Sequence, residues 1–464
     1  MTRLVRLWLV LLCVAAPLPA AAMTIDRVVS PGGIEAWLVQ DHSLPAVSLE
    51  FTWRGGAAYD PAGKEGLASL LASMLVEGAG DLPSQRFQGL LEDRSIGLGF
   101  NTGLDSFEGS LKTLTENLDT AANLLHLALA QPRFEEPDLA RVKTRTEAGL
   151  RRAAEEPSTV ARETWMATAF PDLPYGRPVR GTIGSVAGLT ADDLRAFKQA
   201  RFGRDNLMVG VAGDMTPAAL APLLDQIFGD LPQQADATPL PEAAPRTQGQ
   251  TIVIQRTVPQ SVVTFGQAGV KRNDPDYYAA TLVNYILGGG GFNSRLTNEV
   301  REKRGLAYSV YSYLAPYEHF ALLMGGTATE NSRVAQSIEV IRHEWQRMRD
   351  GGPTAEELKN AKTYLTGSFP LQLDSTNQIA RLLVSIQYDR LGIDYVDRRQ
   401  ALINGVTLAD AKRVTRRLLD PEHLLTVVVG QPAGMAAQPP TDAPGAGAAP
   451  AGGSVSPVPT GRGG

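Results

Sequence analysis

Apolar and polar positions alternate with a period of two from Ala46 to Trp53 and again from Thr251 to Gln255, which predicts a strand early in each of two long segments. Downstream of each, the apolar period lengthens to that of a helix. Asn117 to Ala130, Asp138 to Ala154, Ser332 to Met348 and Ala355 to Phe369 all place their apolar residues on one stripe and predict amphipathic helices. Strands and helices alternate without a strict βαβ rhythm, so the pattern predicts antiparallel or mixed sheets with helices packed on them.

The two segments read as copies. GLTADDLRAFKQARFGRDNLMVGVAG, from Gly188 to Gly213, aligns without a gap on GVTLADAKRVTRRLLDPEHLLTVVVG, from Gly405 to Gly430, at an offset of 217. Thr190 and Thr407 stand where N-caps belong, and Leu207 and Leu424 open apolar runs with strand character that close on Gly213 and Gly430. A second match supports the first: Leu139-x-x-x-Lys143-Thr144 after Pro137 recurs as Leu358-x-x-x-Lys362-Thr363 after Pro353, at an offset of 219. An internal duplication explains both matches.

The ends have different compositions. Arg3 and Arg6, an apolar run from Leu7 to Ala16, Pro17 and Pro19, then Ala20-Ala21-Ala22 predict a secretory signal peptide over 1–22. Ten apolar residues are too few to span a bilayer. Residues 433–464 are nearly all Ala, Gly, Pro, Ser, Thr and Val, which predicts a disordered tail. Residues 232–250, with prolines at 232, 239, 241 and 245, predict an interdomain linker. The expected domains are therefore 23–231 and 251–432, in a chain exported to the periplasm or beyond, with no membrane span.

Composition narrows the chemistry. The 464 residues carry a net charge of −5, which gives no basic surface for nucleic acid. The one cysteine, Cys13, lies inside the signal segment, so the processed chain has neither a disulfide nor a thiol nucleophile. No Gly-x-Ser-x-Gly elbow is present. The five histidines, at 42, 126, 319, 343 and 423, are too scattered for the close pairs that build side-chain zinc sites.

Two stretches carry functional signals. The first is Gly66-Leu-Ala-Ser69-Leu-Leu-Ala72-Ser73-Met-Leu-Val-Glu77-Gly78. The second is Gly288-Gly289-Gly290-Gly291-Phe292-Asn293-Ser294-Arg295-Leu296, leading through Arg301 and Gly305 to Tyr308. Four consecutive glycines allow close backbone approach, but they lack the following lysine of a phosphate-binding loop and fail the G-x-G-x-x-G spacing. Ser294 to Arg304 has helical periodicity, Gly305 suits a C′ position, and Leu306 to Tyr313 alternates as a strand, placing Tyr308, Val310 and Ser312 on one face. On residue chemistry alone, Arg301 either binds a carbonyl or carboxylate or pairs with Glu302 or Asn298, and Tyr308 is either a donor to an oxyanion or core.

Together these stretches resemble the pitrilysin and mitochondrial-processing-peptidase family of inverzincin metallopeptidases, over about Ile25 to Pro432. The resemblance implies two homologous halves of α+β type, each of two related sandwich units, in a clam-like chamber for unfolded peptides. In that family the first stretch carries His-x-x-Glu-His, two zinc ligands and a general base. The matching positions here are Ser69, Ala72 and Ser73, so both ligands and the base are missing. A serine hydroxyl is a poor zinc ligand, and alanine cannot accept a proton. Glu147, 74 residues after Ser73, matches the family's third ligand as a vestige, and its counterpart in the second half is Thr366. The second stretch matches the family's substrate-contacting loop, here Gly288 to Gly291, and its Arg and Tyr pair, here Arg301 and Tyr308. The resemblance thus implies a zinc-free subunit of a heterodimeric peptidase. A homologous partner with His-x-x-Glu-His would bring the zinc, and this chain would present Arg301 and Tyr308 to the substrate carbonyl. The alternative is a non-proteolytic peptide-binding or scaffold protein of the same fold.

Overall fold

The computed structural model describes residues 23–236 and 238–437. The expected signal segment and most of the expected tail lie outside the described residues. The elements fall into two homologous halves of mixed α/β type, each built on one large sheet. The first sheet runs in the spatial order Asp26–Val29, Glu35–Gln40, Leu207–Gly213, Ala46–Arg54, Ser106–Leu114, Gly97–Thr102. The second runs Thr251–Gln255, Leu425–Gly430, Gln260–Ala268, Ala321–Glu330, Ala307–Pro316. Apart from Asp26–Val29 the two orders are the same. In both, one parallel pair (Glu35–Gln40 with Leu207–Gly213, Thr251–Gln255 with Leu425–Gly430) joins an otherwise antiparallel ladder. The duplication read from the sequence therefore extends to sheet topology.

Local chemistry repeats as well. Thr190 and Thr407 both close capping boxes, with Asp193 and Asp410, and so satisfy otherwise unpaired N–H groups at their helix starts. The repeated lysines cap helix ends from outside: Lys143 Nζ donates to Ala187 O at 3.0 Å, and Lys362 Nζ donates to Asn404 O at 2.9 Å and Val406 O at 2.5 Å. Thr144 and Thr363 each donate to the carbonyl four residues back. Phe51 pairs across the sheet with Gly109, and Phe265 pairs with Gly325. Each ring lies where a side chain on its glycine would stand.

Alternation along Ala46–Arg54 decides what packs on each face. Val47, Leu49, Phe51 and Trp53 enter the first core under helices Leu67–Met74, Leu118–Ala130 and Pro217–Phe228, where Trp53 stacks on Phe202 with centroids 4.2 Å apart. Ser48, Glu50 and Thr52 face the other way. There they meet a helix from the second half, Thr376–Tyr388, through Ser48 Oγ to Thr376 Oγ1 at 2.8 Å and Arg381 Nε to Glu50 at 3.4 Å. The exchange is reciprocal. Helix Pro157–Ala169 of the first half lies on the second sheet, with Trp165 and Ala161 against Leu425, Val427 and Met324.

Each half is thus one sheet-and-helix unit rather than the two related units the resemblance implied. One sheet uses up the alternating apolar residues of each half, and the exchanged helices fill the space between the sheets. The chain holds two such units. Residues 232–250 carry no helix or strand among the described residues, and their backbone is tied to both halves, by Tyr175 Oη to Pro241 O at 2.5 Å and Ala243 N to His319 O at 3.0 Å.

Candidate functional site

The arginine and tyrosine seven residues apart are brought together by the local fold. Arg301 sits on a helical segment containing wide π turns, Thr297–Glu302. Buried Glu299 anchors that segment, accepting from Lys303 Nζ at 2.7 Å and Arg304 Nη1 at 2.6 Å. The helix ends as its glycine predicts. Gly305 takes a φ of +58°, Gly305 N donates to Arg301 O, and Leu306 N reaches back to Val300 O at 2.9 Å. Strand Ala307–Pro316 follows on the outer edge of the second sheet, and its register slips between Ala307 and Ser309. Tyr308 is the bulged residue.

That bulge corrects the expected strand face. Val310 and Ser312 are buried as a pair, but the extra residue turns Tyr308 outward, where it is 81% exposed. Tyr308 is therefore not core. Its ring centroid lies 4.8 Å from the Arg301 guanidinium carbon, and the exposed Phe292 ring lies 4.7 Å from the same carbon. Arg301 also makes the Glu302 contact that its spacing allowed, Nε to Oε1 at 3.3 Å. Phe292 was not singled out by the sequence analysis. An aromatic directly after a glycine run, where apolar periodicity offers no core partner, was the available signal.

The four glycines do different things. Gly288 is buried, and a Cβ there would stand 2.7 Å from Ser312 N and 2.9 Å from Leu296 Cδ1. It is needed for packing and is closed to a substrate, a correction to its expected contact role. Gly289 and Gly291 are exposed and Gly290 is half-buried, so only this part of the loop offers backbone to a ligand.

The other stretch forms helix Leu67–Met74, held at its start by buried Asp60, which accepts from Gly66 N at 2.8 Å and Ala68 N at 3.0 Å. Burial outweighs those hydrogen bonds and pushes the Asp60 carboxyl up to about 7. Ser73 Oγ donates back to Ser69 O at 3.3 Å, and Ala72 offers only a buried methyl. Glu147 is paired with Arg151 at 3.4 Å. Nearby Glu77 is buried and accepts from Arg141 at 2.7 Å and Ser84 at 2.6 Å. Among the described residues no group of three or more His, Cys, Asp and Glu could hold a metal ion. This donor set does not fit zinc, and no hydrolytic step can be built on it.

Two adjoining family models match the chain: "Insulinase (Peptidase family M16)" over residues 36–183 and "Peptidase M16 inactive domain" over residues 188–365. The chain belongs to the peptidase M16 family. Among its relatives, the "Non-peptidase homolog YmxG" of Helicobacter pylori is 29% identical over 408 residues, 87% of this chain and 92% of the relative. An uncharacterized zinc protease of Streptomyces coelicolor is 32% identical over 280 residues, 59% of this chain and 61% of the relative. The crystal structure of a peptidase M16 inactive domain from Pseudomonas fluorescens superposes with a TM-score of 0.83 at 26% identity, covering 90% of this chain and all of the other. With Ser69, Ala72 and Ser73 at the motif positions, this M16 chain lacks the His-x-x-Glu-His residues on that helix.

Charge pairing gives this M16 fold a defined acid limit. Lys303, then Arg304, hold Glu299 down at about 2, and Arg413, then Arg417, hold Asp276 at about 2. Both folded-state values lie below those of an unfolded chain, near 4. Their stabilisation is fully present above the unfolded values and is lost as pH falls through the folded ones. Urea midpoints should therefore drop between about pH 4.5 and pH 2. Asp276→Asn should flatten part of that drop, and an unchanged profile would remove Asp276 from the account.

Proposed function

We propose that this chain is the zinc-free subunit of a two-chain M16 metallopeptidase, acting in the periplasm or outside the cell on unfolded peptides. The observation that carries the reading is an asymmetry: half-buried Arg301 and exposed Tyr308 are juxtaposed, while the helix that would hold zinc carries Ser69, Ala72 and Ser73. Guanidinium N–H groups and a phenol are hydrogen-bond donors suited to a peptide carbonyl and the charge that develops on it. They activate no water by themselves. A homologous chain with His-x-x-Glu-His and the distal glutamate would complete the site, and two chains of two units each would make the four-unit chamber.

Co-expression with such an M16 homologue is expected to give a complex whose mass fits both chains, with zinc bound to the homologue. Peptide cleavage should require the pair, and this chain alone should be inactive with or without added zinc. Cleavage by this chain alone would overturn the assignment. The name "non-peptidase homolog" of the Helicobacter relative favours a second reading, a peptide-binding or scaffold subunit. It predicts association without turnover.

A further inference from the structure

We propose that Phe292 is a positioning residue that, with Tyr308, fixes the Arg301 guanidinium so that its terminal N–H groups stay free for a planar oxygen ligand, a carbonyl or a carboxylate. The proposal rests on the reading that Arg301 meets substrate.

Phe292 is 71% exposed and belongs to no hydrophobic core among the described residues. Leaving a phenylalanine ring in water forgoes the burial that normally stabilises it, so its position needs another cause. The backbone holds it there. Gly291 takes a φ of +56°, Asn293 N donates to Gly290 O at 3.2 Å, and Ser294 Oγ donates to Gly291 O at 2.8 Å, making a tight turn with Phe292 at its tip. From that tip the ring comes within 4.7 Å of the guanidinium carbon, cation–π range, as Tyr308 does at 4.8 Å from the far end of the same segment.

The chemistry of the clamp matters more than its strength. A carboxylate or backbone carbonyl could also hold an arginine, but only by accepting its N–H groups. Arg295 in the same segment shows that alternative: Glu357 takes its Nε and Nη2 at 2.7 Å each, and Gly352 O takes Nη2 at 3.0 Å. Such an arginine has little left to offer a ligand. Arg301 is held by two ring faces and by one ion pair at Nε, and its terminal nitrogens have no hydrogen-bond partner among the described residues. Rings attract the cation through their quadrupole and accept no strong hydrogen bond, so the arginine is oriented with its donors intact.

The test uses the full chain without any partner. Phenylglyoxal labelling of Arg301, followed by peptide mass spectrometry, reads how far the rings shield and stabilise the cation. Phe292→Ala should label about two- to five-fold faster than the parent, the range a solvent-exposed cation–π contact supports. Phe292→Trp should label at or below the parent rate, and Phe292→Leu, which fills space without a π face, should resemble the alanine variant. Equal rates for parent and Phe292→Ala, or a leucine variant as slow as the parent, would overturn the proposal. In the two-chain complex Phe292→Ala should lower kcat/KM, and Phe292→Trp should rescue it. A complex that cleaves nothing would remove the substrate reading while the labelling result stood.

Discussion

Replacing Arg301 by alanine is expected to lower peptide turnover by the proposed two-chain complex about 10²- to 10³-fold, the effect of removing one preorganised donor from a developing oxyanion. The size follows from where the side chain sits. Two rings and Glu302 hold the guanidinium in place, so in the proposed role its reorganisation cost is already met. Tyr308→Phe keeps the ring that supports Arg301 and removes only the hydroxyl, so it isolates the phenol's own contribution. The double variant should lose less than the product of the two single losses, because the residues touch each other. Association of the chains and zinc content should stay at parent values in all three. Steady-state kinetics on the purified complex, with mass measured by light scattering, decide the matter. Parent-level turnover in both single variants would strip the pair of its assigned role.

Much of this architecture was legible from the sequence because duplication leaves two versions of every local signal. Thr190 with Asp193 and Thr407 with Asp410 are capping boxes at one offset, and the helix starts fell where they predicted. Strand Thr251–Gln255 has the bounds its alternation gave, and Ala46–Arg54 runs one residue longer. Other features have no periodic signature. A bulge adds one residue to a strand without altering its composition, so alternation placed Tyr308 on the wrong face. An amphipathic helix shows that it has an apolar stripe but not which sheet will cover it. Nothing in the pattern of Pro157–Ala169 or Thr376–Tyr388 announced that the two halves exchange them. The site was legible in part through the family resemblance. It paired Arg301 with Tyr308, but Phe292 joins them only through the turn at Gly291.

That exchange makes Trp165 the side chain whose loss should cost most. Trp165→Ala is expected to destabilise the chain by about 3–5 kcal/mol, the range for truncating a large buried aromatic. Trp165 is fully buried, though it comes from the first half and packs on the second sheet. A Cβ on Gly266 would stand 2.9 Å from the Trp165 ring, so the sheet leaves room for the indole at a position where other residues would collide. Its Nε1 donates to Leu425 O at 3.1 Å, and truncation leaves that buried acceptor without the indole donor. Trp165→Phe keeps most of the packing and loses this bond, so it should cost markedly less than alanine. Gly266→Ala approaches the same contact from the other side and should cost about 1–3 kcal/mol by overpacking. Because the helix joins the halves, the alanine variant should also separate their unfolding, giving two transitions in urea where the parent gives one. Circular dichroism and tryptophan fluorescence followed together would show the split. A single transition shifted by less than about 1 kcal/mol, the size of an ordinary substitution, would mean that the exchanged helix does not hold the halves together.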